Sequence, residues 1–244
     1  MRVLENRLKE ELTAMGASLV GFADLGDLPE KTRDGFRYGV SIAAAINPGV
    51  IHGIINGPTK EYYAEFEKLN EMLDCMDLRG AEILKEFGFN AYPKTRSNVT
   101  TDPATHSTIL PHKTVATRAG LGWIGKCAVL VTQEFGSAVR ISSILTDAPL
   151  TTGNPINESK CGNCNLCAES CPAGAATGEL WNVGVKRDSF FNPHKCKETA
   201  QKRAAQVALG YTLCGLCIRV CPWTRKYIEK NGISDSGENV FEGR

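Results

Sequence analysis

An α/β domain over residues 1–155 followed by a cysteine-rich module over 156–224 is the architecture that this sequence predicts, on three observations. Segments of helical and strand-like periodicity alternate through the first 150 residues. Eight of the ten cysteines then crowd between Cys161 and Cys221. The composition, 42% hydrophobic and 23% charged, suffices to bury a core at this length. With 28 basic against 27 acidic side chains, no strong polyanionic partner is implied.

In chain order, Leu4, Leu8, Leu12 and Met15 recur at helical spacing, and SLVGFADL (18–25) reads as a strand. GVSIAAAI (39–46) is continuously apolar, as in a strand buried on both faces. The longest apolar run, YGVSIAAAINPGVI (38–51), is cut by Asn47-Pro48 and is too short to span a membrane. With no charged-then-apolar leader at Met1, a cytoplasmic location is expected. From Lys60 to Phe87, the residues Tyr62, Phe66, Leu69, Leu73, Met76, Ile83 and Phe87 step by three and four where Gly80 does not interrupt. This predicts a long helix with Gly80 as its expected break, and Cys75 within it reads as a small buried hydrophobe. KTRSNVTTDPATHS (94–107) is polar and turn-rich, and Pro111 and Gly120 bracket a short helix. Residues 127–145 read as two strands around QEFGS, and 225–244 as a polar surface tail.

CGNCNLCAESCP (161–172) has the spacing C-x2-C-x2-C-x3-C-P. In bacterial two-cluster ferredoxins this run gives three thiolates to one [4Fe-4S] cubane and sends the fourth to the other. CGLCIRVCP (214–222) supplies three more. The crossover assigns Cys161, Cys164, Cys167 and Cys221 to a first cluster, and Cys171, Cys214 and Cys217 to a second that is one ligand short. Cys196, the other cysteine between the two runs, completes it. Zinc sites typically show two separated pairs instead, and disulfide frameworks belong to small secreted chains. Cys127 reads as a buried strand cysteine.

ATRAGLGWIGKCAVLV (116–131), ILTDAPL (144–150) and the cluster module ending VCPW (220–223) together resemble the epoxyqueuosine reductase family, relatives of the reductive dehalogenases. The resemblance implies a nitroreductase-like α/β domain that binds cobalamin, fed with single electrons by the two clusters, each [4Fe-4S]. It implies His112, Lys113, Gly120, Gly122, Trp123 and Lys126 around the corrinoid, with Arg118 as a further anion holder. It also implies a cobalamin-dependent reductase, with a non-catalytic electron carrier and an epoxyqueuosine reductase acting on tRNA as alternatives. A low-potential donor such as ferredoxin or flavodoxin would supply the electrons, and the substrate would be a small molecule.

The departures from the family pattern are local. The family carries an aspartate fourteen residues before the first glycine of GLGW, and His106 stands there in this chain. A histidine can donate a proton near neutral pH, so His106 is the candidate acid in a partly desolvated pocket, with Tyr92 next. His112-Lys113 replaces a Glu-Arg pair, and Cys127 stands where Asn or His is commoner. Residues 183–203 hold six basic against two acidic side chains. That patch reads as a counter-charge to the clusters or as a dock for an acidic donor. With neutral net charge and no helical repeats following, tRNA is expected to be an unlikely partner.

Overall fold

The computed structural model describes residues 1–234. Its centre is a four-stranded antiparallel sheet in the order β1 (Leu19–Asp24), β2 (Tyr38–Ala45), β6 (Val139–Thr146), β3 (Ala91–Pro93). One face carries α1 (Arg2–Ala14) and α3 (Lys60–Glu86), whose Leu4, Leu8, Leu12, Leu69, Leu73 and Met76 pack on Val40, Ile42, Ala44 and Ile144. The other carries α4 (His112–Arg118), whose Val115 and Ala116 meet Leu145 and Ala43. Both faces of β2 are therefore covered, which is why its sequence is apolar at nearly every position. Between β2 and α3, Asn47 caps the short α2 (Pro48–His52) by accepting from Gly49 and Val50 N–H groups.

α3 runs unbroken through Gly80, against the expected break. A Cβ there would stand 2.4 Å from Ile144 Cδ1, so this glycine lets the helix lie close on β6. Cys75 is exposed, not buried, because it falls off the stripe formed by Leu69, Leu73, Met76 and Gly80. Asp77 lies on that stripe, fully buried. Ser142 Oγ donates to its Oδ2, while its Oδ1 has no hydrogen-bond partner among the described residues, and burial pushes the carboxyl well above the aspartate range.

The first strand expected after residue 127 shrinks to β5 (Leu130–Val131), which pairs with β4 (Trp123–Ile124) in a separate ribbon. The cluster module holds short helices α5 (Leu166–Glu169), α6 (Arg187–Phe190) and α8 (Leu216–Arg219), and the longer α7 (Pro193–Gln206). The expected tail begins as structure: α9 (Pro222–Lys230) buries Ile228, and Tyr227 Oη donates to Ile46 O at 3.1 Å. Residues 235–244 of that tail lie outside the described residues. No described helix is long and apolar enough to cross a membrane.

Candidate redox centre and adjoining cavity

Several of the assigned cysteines lie near one another. Cys196, projected by α7, lies near Cys171 and Cys214, and burial, then those neighbours, raises its thiol to about 11. Cys161 and Cys221 pack in one apolar cluster with Trp123 and Val131. α5, which carries Cys167, packs against α8, which carries Cys217, so the two half-motifs face each other. Among the described residues, no three His, Cys, Asp or Glu side chains converge tightly enough to hold one metal ion.

At the seam between the α/β part and this module lies a cavity of about 900 Å³. His106, Lys113 and Arg118 line it from one side, and Trp181, Lys186, Arg187 and Phe190 from the other. The His106 loop is folded back on itself: its N–H donates to Asp102 O at 2.8 Å, and Asp102 Oδ1 accepts from Ala104 N–H. His106 itself is left-handed (φ 49°), a conformation that costs a non-glycine residue about 1 kcal/mol or more. Arg187 holds it there, donating to His106 O at 2.8 Å and Thr105 O at 2.6 Å. The imidazole stacks near His194, with ring centroids 4.8 Å apart. Desolvation, then Lys197, His194 and Arg187, lowers its pKa, in the direction expected from a partly desolvated pocket.

Lys113 donates to Ala128 O at 2.6 Å, and burial followed by the Arg187 charge lowers it to about 8. An ammonium that can lose its proton near neutrality is a chemically useful group beside a cavity. Arg118 donates to Ile156 O and to Asn157 Oδ1, so it braces the wall. His112 turns the other way, with Nδ1 2.9 Å from Ser143 Oγ, and burial with Lys94 and Arg140 lowers it to about 4.

The remaining expected cofactor residues sit behind the cavity wall. Gly120 (φ 75°) would place a Cβ 2.7 Å from Asn154 O, and one on Gly122 would stand 2.3 Å from Val131 O. Trp123 is buried and meets Trp223 edge-on at 5.1 Å, while Lys126 donates to Asn165 Oδ1 at 2.8 Å. The AGLGWIGK segment thus joins the two parts of the molecule, and of the expected non-cysteine residues His106, Lys113 and Arg118 line the cavity. Tyr92 is not among the lining residues. Arg187 was missed as a site residue; its membership of a basic patch was the one signal available.

Residues 160–224 match the 4Fe-4S double cluster binding domain. The chain is 34% identical over 113 residues to an epoxyqueuosine reductase of Cellulophaga algicola, covering 46% of this chain and 37% of that protein. It is 34% identical to one of Synechococcus sp. strain CC9605, over 53% and 40% of the two chains. A solved epoxyqueuosine reductase with an epoxyqueuosine-modified tRNA-Tyr stem loop superposes at TM-score 0.59 and 22% identity, over 91% of this chain and 66% of that one. A catabolic reductive dehalogenase in complex with 3-bromo-4-hydroxybenzoic acid superposes at 0.65 and 19%, over 89% and 31%. The chain resembles the epoxyqueuosine reductases and the reductive dehalogenases. It has their α/β fold and carries a double-cluster module, and it spans well under half the length of those two curated relatives.

Proposed function

We propose that this chain is a cobalamin-dependent reductase fed by two [4Fe-4S] clusters, acting on a nucleoside carried in RNA. The observation that carries the reading is the cavity at the seam with the cluster module, faced by two proton-holding groups and ringed by cations. A pure electron carrier needs an exposed cluster edge and no such space. Cobalamin, when bound, supplies a strongly reducing nucleophilic centre; the chain supplies placement and protons. Ile124, Trp181 and Phe190 would pack on the corrinoid, and Lys113, Arg118 and Asn157 would meet its polar side groups. His106, held by Arg187, and Lys113 are the two candidates to hold the proton delivered to substrate. An acidic low-potential protein of the ferredoxin or flavodoxin class would be the electron source.

The expectation that tRNA is an unlikely partner rested in part on net charge, and the charge is distributed unevenly. Lys113, Arg118, Lys186 and Arg187 line the cavity against Asp27 and Asp188, and Lys197 lies near its loop. Phosphates meet this local field and not the molecular average. The epoxyqueuosine reductase solved with a tRNA stem loop makes RNA the better-supported substrate class.

The test is anaerobic reconstitution of the full chain and titration with cobalamin, followed by assay on epoxyqueuosine-containing tRNA. The expected results are a stoichiometric change in the corrinoid absorption bands and conversion of the modified nucleoside. Absence of any spectral change at stoichiometric protein would remove the cobalamin reading. Spectral change without turnover on that tRNA would remove the RNA substrate.

A further inference from the structure

Lys126 is the charged residue of AGLGWIGK, it does not line the cavity, and the fold buries it to 4% exposure. Its Nζ donates to Asn165 Oδ1 at 2.8 Å. Asn165 stands inside the turn Cys164-Asn165-Leu166-Cys167, which supplies two of the thiolates assigned to the first cluster. An asparagine at the start of a helix ordinarily turns its side-chain oxygen onto the helix N–H groups. Asn165 precedes α5 and makes no such bond, so that oxygen serves the lysine instead.

The backbone on both sides of Lys126 is fixed. Upstream, Trp123 packs in the apolar cluster that contains Cys161 and Cys221, so this segment meets the first-cluster ligands twice. Downstream, Gly125 N–H donates to Val129 O at 2.9 Å and Ala128 N–H to Gly125 O at 2.8 Å, and Lys113 Nζ anchors that loop by donating to Ala128 O at 2.6 Å. An ammonium taken out of water is costly unless an opposite charge meets it. Among the described residues the partner of Lys126 is a neutral amide, and no carboxylate pairs with it. The thiolates on either side of Asn165 are the anionic groups that this turn brings to it.

We propose that Lys126 is the buried counter-charge of the first cluster, placed by Asn165 so that it raises the reduction potential of that cluster and not of the second. The inference rests on the two-cluster reading and is independent of cobalamin and substrate. A four-thiolate cubane is anionic and gains one further negative charge on reduction, so a fixed positive charge beside it favours the reduced form. The ligand loop of this cluster is also tied to the cavity wall: Cys161 N–H donates to Ser159 Oγ at 3.3 Å, and Ser159 N–H to the carbonyl of cavity-lining Trp181 at 2.8 Å. The lysine therefore draws the electron to the cluster whose loop is joined to that wall.

The test is an EPR-monitored redox titration of the anaerobically reconstituted full chain, with no corrinoid present. Lys126→Met should lower one of the two midpoint potentials, cutting the reduced-to-oxidised ratio of that cluster at fixed potential about tenfold, which is about 59 mV for a one-electron couple. The other midpoint should hold. The same shift in a Cys196→Ala background, which keeps the first cluster, identifies the cluster that moves. Lys126→Arg, which keeps the charge, should restore most of the potential. Lys160→Met removes an exposed charge next to Cys161 and should act far more weakly, because water screens it. If Lys126→Met fails to assemble, Lys126→Gln repeats the reading with a neutral donor. Loss of the first cluster in both neutral variants, with retention in Lys126→Arg, would uphold the counter-charge. Unchanged midpoints, an equal fall in both, an equal shift from Lys160→Met, or loss of the first cluster in Lys126→Arg as well would each overturn it. A parent chain that assembles no clusters would instead overturn the two-cluster reading beneath it.

Discussion

The cluster module and the cavity wall are built from comparable kinds of loop, yet they depend on the rest of the chain very differently. Seven of the eight assigned ligands sit in two short runs, where C-x2-C turns bring sulfurs together by local geometry. The cavity wall is assembled from segments far apart in sequence, with Arg187 reaching back to the carbonyls of Thr105 and His106. A site of the first kind tolerates changes elsewhere. The second kind moves when one long-range contact is cut.

The largest expected effect probes the exception in the module, since Cys196 is the one ligand outside both runs. Cys196→Ala should lose the second cluster, taking iron from about eight to about four atoms per chain by iron assay. Full iron content and unchanged cluster spectra would give the ligand to another residue. Arg187→Ala should leave the iron intact but free the His106 loop, lowering single-turnover rates by about a hundredfold through misplacement of the wall. Equal rates in the two proteins would mean that the loop is held by its own turn and that the contrast drawn above is false.

Lys113 sharpens the same contrast through pH. Its pKa is about 8 in the fold against an ordinary 10.5, so between those values the unfolded chain binds the proton and the folded chain does not. Stability of the cofactor-free protein should rise with pH across that window by roughly 1–3 kcal/mol, and Lys113→Met should abolish the slope in denaturant titrations. Asp77 behaves in the opposite sense. Its raised pKa makes its contribution full below the ordinary aspartate range and lost as pH rises through the raised value. Asp77→Asn should therefore stabilise the protein at neutral pH by about 1 kcal/mol, and by less below the ordinary aspartate range. The smallest effect is expected at exposed Cys75, where Cys75→Ser should change stability by less than about 0.5 kcal/mol.

Periodicity located α1, β1, β2 and α3 because each buries a continuous stripe or face, and Pro111 with Gly120 bracketed α4. It failed at Gly80, where a residue that weakens isolated helices is kept for close packing on Ile144. It failed again at Cys75, since one position beside a buried stripe faces solvent. In the site, His106 and Lys113 were legible as residues of acid–base type at motif-linked positions, and the structure brings both to the cavity. The glycines and Trp123 of AGLGWIGK were legible only as a motif. Their work is to let backbones approach Asn154 and Val131, which no local pattern encodes.

The sequence by itself determined the two-cluster chemistry, because sulfur spacing along a short chain already limits which atoms can converge on one cubane. It also determined the helices and strands of the sheet, through the period of their apolar residues. The tertiary structure alone decided which side chains share the cavity, and that His112 turns away while Lys113 turns in. The physical reason is range: thiolate turns and amphipathic stripes are satisfied within a few residues, whereas desolvation, counter-charge and close backbone approach depend on neighbours that only the finished fold supplies.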